Sequence, residues 1–146
     1  MCNIGGYIGS EAAAPILLDM MEKQEGLAGG YYSGIATIAD GRLHFAKVVG
    51  DFAKLRRETD AERLPGTIGI AHSRSKSGGD VEWGHPFIDC SGRMAYIANG
   101  GYGIFTDIEK RSQIAQQLAD KGHVFRSRAP EPIGRYPVLG DGSCAH

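Results

Sequence analysis

The second residue of the chain is a cysteine, and its position gives it a specific chemical opening. Removal of Met1 leaves Cys2 with both a thiol and a free α-amine. An α-amine titrates near pH ~7.7–8.0, so part of it is neutral under physiological conditions. It then serves, directly or through one water, as the base for its own side chain, a nucleophile–base pair within one residue. A thiol also starts closer to ionisation than a hydroxyl does. The plain alternative is that Cys2 is a small apolar residue packed in an edge strand.

Other residues that could do chemistry form weaker patterns. His72, His85, Cys90, Cys144 and His146 include metal-ligating types, but only Cys144 and His146 are closely spaced, so no metal site is expected. The glycine clusters Gly5-Gly6-Tyr7-Ile8-Gly9 and Gly100-Gly101-Tyr102-Gly103 lack the Gly-Lys-Ser/Thr ending of a phosphate loop. Lys54, Arg56, Arg57 and Arg63 are interrupted by Glu58, Asp60 and Glu62 and read as a solvated helix face.

The elements that must position Cys2 follow from periodicity and turn signals. Cys2–Gly9 reads as a strand and Glu11–Gln24 as a helix with Ile16, Leu17, Met20 and Met21 on its apolar side. Ser33–Ala39 and Leu43–Val49 read as strands joined by Asp40-Gly41, a strong hairpin signal. Asp51–Glu58 is a short helix candidate, and Thr67–His72 and Met94–Asn99 are strands. Ser91-Gly92 suggests a turn leading from Phe87–Asp89 into the last of these. Asp107–Lys121 is a second clear helix, with Ile108, Ile114, Ala115 and Leu118 on one side and Gly122 as its stop. From Arg126 the chain gathers Pro130, Pro132, Pro137, Gly134, Gly140 and Gly142, which read as a loop or tail. Hairpins with separate helices predict an α+β layered domain.

At 146 residues the chain fits one domain, and a 42% hydrophobic fraction suits a globular core. Sixteen Lys and Arg against 17 Asp and Glu leave a net charge of -1, so neither nucleic acid nor an anionic membrane is an expected partner. No apolar run approaches the roughly 20 residues of a membrane span, and the N-terminus lacks a signal-peptide pattern. Three widely spaced cysteines give no disulfide framework, and the expected setting is cytoplasmic, with reduced thiols.

Six segments carry a family resemblance, in order along residues 1 to about 127: MCNIGGYIG at the start, GGYYSGIA at 29–36, GIAHSR at 69–74, GHPF at 84–87, AYIANG at 95–100 and KGHVFRS at 121–127. Together they resemble class II glutamine amidotransferases, the N-terminal-nucleophile hydrolases that include the glutaminase domains of glucosamine-6-phosphate synthase and amidophosphoribosyltransferase.

The resemblance implies a four-layer αββα sandwich of antiparallel sheets, incomplete at this length. It implies an amidotransferase domain over 1–127, with 128–146 as a Pro/Gly-rich loop or tail. The implied activity is hydrolysis of glutamine to glutamate and ammonia through a thioester on Cys2, without a cofactor. Ammonia would pass to a synthase domain or subunit. Asn99 and Gly100 match the oxyanion hole and Arg74 the arginine that binds the substrate α-carboxylate. Asp141, or Glu131, would stand in for the acid that binds the α-amine.

The chain also departs from the pattern. Arg74-Ser75-Lys76-Ser77-Gly78-Gly79 replaces Arg-Trp-Ala-Thr-His-Gly, and Gly29 stands where an arginine is usual. Arg128-Ala129-Pro130-Glu131-Pro132 stands where Ser/Thr-Asp-Thr-Glu should be. Two further readings therefore stay open: a hydrolase of another small amide, and a catalytically silent binding or assembly subunit. On this resemblance, the second half of a sandwich core would be missing. The chain is thus expected either to associate through a sheet face with a copy or partner, or to come from a longer parent.

Overall fold

The computed structural model describes residues 2–76, 81, 84–99 and 108–123. Among them the architecture is α+β, built on one four-stranded antiparallel sheet with three α-helices and a small two-stranded ribbon. The strands β1 (Asn3–Ile8), β2 (Tyr32–Ala39), β3 (Arg42–Val49) and β4 (Ile68–Arg74) lie in the order β1-β4-β2-β3. The hairpin between β2 and β3 turns at Asp40 (φ 50°) and Gly41 (φ 69°). Positive φ at both central residues is the twist-matched geometry that an Asp-Gly pair accepts.

Side chains alternate across the sheet. One face carries Gly5, Ile35, Ala71 and Ala46 and is covered by α1 (Ala13–Gln24), whose Leu17, Leu18 and Met21 are fully buried. Glycine at positions 5 and 69 lets this helix come close: a Cβ on Gly5 would meet Met20 Cε at 2.6 Å, and one on Gly69 would meet Leu17 Cδ1 at 2.8 Å. The short helix α2 (Phe52–Glu58) adds Phe52 and Leu55 to the same core and is N-capped by Asp51, whose Oδ1 accepts from Lys54 N (2.7 Å). The basic cluster on α2 is neutralised locally. Arg56 reaches Asp19, Glu22 and Glu62, Lys54 pairs with Glu58 and Arg63 with Asp60.

The other face carries Ile4, Ile8, Ile38, Phe45, Val49 and Ile68, each 43% exposed or more. Its far end is covered by residues 84–99. Here β5 (Phe87–Ile88) pairs with β6 (Ala95–Tyr96) around a turn organised by Asp89. Asp89 Oδ1 accepts from Arg93 N and Met94 N, both at 2.8 Å, and Oδ2 from Ser91 N at 3.1 Å. Burial would raise its carboxyl, but bonds from Ser91, Met94 and Arg93 outweigh it and hold it at about 2. The ribbon docks through Gly34, where a Cβ would overlap His85 O and meet Pro86 Cδ at 2.9 Å. His72 on β4 stacks on His85, with ring centroids 4.1 Å apart. Burial lowers His72 to about 4 and His85 to about 3.

Some boundaries differ from the sequence reading. Helix α1 begins two residues later than Glu11, and β4 runs on to Arg74. The strand expected at Met94–Asn99 is reduced to Ala95–Tyr96. The reason is at Ala98, whose N–H and C=O bond to His85 and His72 instead of to a neighbouring strand. Helix α3 (Ile108–Asp120) ends as expected at Gly122 (φ 87°), with His123 N bonded to Leu118 O and Gly122 N to Ala119 O. The expectation of three reduced thiols fails at Cys90, which is disulfide-bonded, whereas Cys2 is free.

Two predictions concern this docking. Gly34→Ala forces the backbone at His85 away from β2 and should cost about 1–3 kcal/mol. Gly6→Ala, with nothing within 4 Å of its Cβ, should change stability by less than about 0.5 kcal/mol. Urea titrations of both variants measure this. The second prediction is an acid sensitivity. Both histidines have folded values below their ordinary 6.5, so the unfolded chain takes up protons that the folded chain refuses. Stability should therefore fall as pH drops from 6.5 towards about 4, on the order of 1 kcal/mol per pH unit for each ring. Glu25, raised above 4.5 by burial, works in the opposite sense, losing its contribution as pH rises. The histidine share is isolated by comparing urea midpoints at pH 7 and 4.5 with those of a His72→Gln/His85→Asn double variant, in which the slope should flatten.

Candidate active site

Cys2 immediately precedes β1, and its place is set by strand pairing. Asn3 is opposite Ser73 in the antiparallel β1–β4 register, so one further step sets Cys2 opposite Arg74, on the same face of the sheet. That is the face on which His72 and the 84–99 segment lie. From this segment Asn99 reaches back, and its Nδ2 donates to the Cys2 carbonyl oxygen at 3.2 Å across 97 residues of sequence. Cys2 and Arg74 are half-buried and Asn99 is exposed. An amide Nδ2 carries two N–H groups, so one hydrogen remains for a further acceptor.

Arg74 ends β4. Its carbonyl accepts from Tyr31 N (3.0 Å), and its guanidinium carbon lies 5.8 Å from the centroid of the Tyr32 ring, directly across the β2–β4 pair. An aromatic face at this distance steadies a cation without neutralising it. Burial first, and then the charge of Arg74, keep His72 and His85 uncharged.

On the helix side of the same sheet end, Glu25 forms a separate polar centre. Its carboxylate accepts from Phe52 N at 3.0 Å, from Ser73 Oγ at 2.9 Å and from Ser33 Oγ at 3.3 Å. Burial raises its carboxyl despite these bonds. Ser73 Oγ in turn accepts from Gly30 N (2.8 Å). Gly29 has φ 82°, and a Cβ there would overlap Ser73 Oγ. The glycine that replaces the usual arginine is thus required by the path this loop takes. A hollow of about 400 Å³ borders Glu25, Gly26–Gly30 and Asp51. Cys2, Arg74 and Asn99 do not line it, so this hollow lies apart from the candidate residues. A second hollow of about 140 Å³ borders Ala36, Ile38, Leu43, Ile68, Gly69, Ile70 and Ala95.

Of the residues singled out in the sequence, Cys2, Arg74 and Asn99 converge at one end of the sheet. Gly100, Asp141 and Glu131 lie outside the described residues. Sequence reasoning missed the part of Tyr32, and it placed His72 and His85 in motif segments and weighed them as metal ligands without assigning them a role at the site. Among the described residues no group of three metal-ligating side chains occurs, and no helix is long and apolar enough to cross a membrane.

No family profile matches the chain. Curated relatives do. It is 35% identical over 131 residues to glutamine–fructose-6-phosphate aminotransferase (isomerizing) of Pyrococcus horikoshii, covering 87% of this chain and 20% of the relative. Proteins of the same name from Nostoc sp. and Methanothermobacter thermautotrophicus are each 38% identical over 136 and 137 residues, both covering 91% of this chain, and 20% and 22% of the relative. The chain spans about a fifth of the length of the curated relatives it matches. Over the stretch it shares with them, the chain is similar to these aminotransferases, which is consistent with the class II glutamine amidotransferase resemblance of its motifs.

Proposed function

We propose that the chain is the glutamine-hydrolysing part of an amidotransferase, with Cys2 as nucleophile. The observation that carries this reading is the hydrogen bond from Asn99 Nδ2 to the Cys2 carbonyl, at the sheet end that also holds Arg74. A cysteine, an amide donor and a cation brought to one end of the sheet support this reading.

The chemistry follows from these groups. The free α-amine of Cys2 takes the thiol proton, and sulfur attacks the side-chain amide carbon of glutamine. The negative charge that develops on the amide oxygen is met by the remaining N–H of Asn99 and by the backbone N–H of Gly100. As the C–N bond breaks, the ammonium returns its proton to the departing nitrogen, releasing ammonia and leaving a thioester. Water then adds to the thioester, and glutamate and the Cys2 thiol are regenerated. Arg74 pairs both oxygens of the α-carboxylate, and Asp141 or Glu131 receives the α-amine.

Residues 1–127 form the amidotransferase domain and 128–146 a loop or tail. The bare apolar face of the sheet fits a second sheet packed upon it, as in a four-layer αββα sandwich. The relatives are named for amino transfer to fructose 6-phosphate, and an equivalent synthase domain or subunit would receive the ammonia. A cytoplasmic setting suits this substrate.

Cys2→Ala should abolish glutamine hydrolysis, whereas Cys90→Ala leaves most of it. A diazo-ketone glutamine analogue should add to Cys2 alone in protein whose intact mass lacks Met1. Labelling elsewhere, or equal hydrolysis by Cys2→Ala, removes the nucleophile from Cys2. Arg74→Lys keeps the charge but loses the bidentate fork, so KM for glutamine should rise about tenfold with a smaller effect on kcat. Equal KM values would take Arg74 out of the substrate site.

A further inference from the structure

Two buried histidines hold the single residue that precedes Asn99. His72 Nε2 lies 3.0 Å from the carbonyl oxygen of Ala98, and the N–H of the same residue donates to His85 Nδ1 at 3.1 Å. A backbone carbonyl only accepts and a backbone N–H only donates, so these contacts fix the protons on both rings. His72 must carry hydrogen on Nε2, and His85 must have none on Nδ1. Both contacts are met when each ring is neutral and protonated at Nε2.

The remaining surroundings agree with neutral rings. His72 Nδ1 is buried and has no hydrogen-bond partner, which suits a bare lone pair better than a second N–H. His72 is fully buried and His85 is 9% exposed. The rings stack on each other, and His85 meets the Phe87 ring edge-on at 4.2 Å. The charged groups that act on the pair are Arg74 from β4 and Lys47 from β3, both cations. Burial and these neighbours both disfavour a third and fourth positive charge.

We propose that His72 and His85 are positioning residues, a two-ring clamp on the Ala98 peptide that aims Asn99 at the reacting oxygen beside Cys2. The clamp rests on the glutaminase reading. It uses both polar groups of Ala98, so the backbone entering Asn99 has neither its N–H nor its C=O free to rotate. The Asn99 amide then reaches Cys2 in one orientation, with one N–H on the Cys2 carbonyl and the other directed to substrate. The arrangement also explains a buried Nδ1 without a partner, since a ring that must donate from Nε2 has nothing left to donate from Nδ1. Protonating His85 places a donor against the Ala98 donor and opens the clamp.

The test compares the parent chain with His72→Ala, His85→Ala, His72→Gln and His85→Asn. An asparagine oxygen can accept from Ala98 N–H, and a glutamine amide can donate to Ala98 O. The alanine variants should lose about 10²-fold in kcat for glutamine, the size expected for a misplaced oxyanion donor, with KM within about twofold. The Gln and Asn variants should each recover about tenfold of that loss. Alkylation of Cys2 by iodoacetamide, which displaces iodide and develops no oxyanion, should stay within about twofold of the parent. A folded alanine variant with unchanged kcat overturns the clamp, as does an equal fall in alkylation and hydrolysis. A second arm does not depend on activity. Nitrogen-15 shifts at pH 7 should show both rings neutral with hydrogen on Nε2, and exchange of the Ala98 amide should quicken in His85→Ala but not in His85→Asn. Hydrogen on His85 Nδ1, or an Ala98 amide indifferent to both substitutions, overturns the proposal. A parent chain that hydrolyses no glutamine overturns the glutaminase reading and the aim assigned to Asn99, while this arm still decides whether the clamp exists.

Discussion

The pairing of β1 with β4 sets every other relation at the site. Asn3 faces Ser73 in that ladder, and the next step brings Cys2 level with Arg74. A slip of one residue would turn Cys2 toward the helices and send Gly5, which makes room for Met20 and Met21, to the open face. The register is therefore fixed by the packing of α1, on the opposite face of the sheet from Cys2 and Arg74. Helix and candidate site depend on the same alternation, because the helix needs glycine and alanine on one face while Cys2 and Arg74 share the other.

The last three residues of β4 show how one strand serves two faces. Ser73 points toward the helices, where it joins Glu25 to the Gly29-Gly30 loop. Glu25 also takes the first N–H of α2, so the end of α1, the start of α2 and the end of β4 meet on one carboxylate. His72, one residue away, points to the opposite side and meets His85. Arg74 continues on that side. The strand end is held from both directions, which limits the freedom of the arginine at its tip.

Much of this was legible in the sequence. Local signals were strong at the Asp40-Gly41 hairpin, at the Asp51-capped helix and at Gly122, because each depends on a residue's own backbone preference. Cys2 and Asn99 were legible through their motifs, and the structure joins them by a hydrogen bond. The short β6 was not legible. Met94–Asn99 has the composition of a strand, but its partners are set by side chains from β4 and from the Gly84–Phe87 stretch, which no local pattern encodes. His72 and His85 were visible as members of two motif segments, but not as partners of each other or of Ala98. Their stacking requires Gly34 to admit His85 and Pro86, a long-range fit that periodicity cannot announce.

The neutrality of the two rings bears on the charge balance of the site. Arg74 already acts on both rings as a cation, and a cationic imidazole beside it would add a second positive centre. Burying the rings removes that competitor but costs stability in acid, since the unfolded chain accepts protons there near pH 6.5. The same burial leaves His72 Nδ1 unpaired. A sheet face covered by aliphatic side chains would avoid both costs, but it would offer nothing to the N–H and C=O of Ala98. The imidazoles can donate on one side and accept on the other while remaining uncharged, and few other side chains do both next to a fixed arginine.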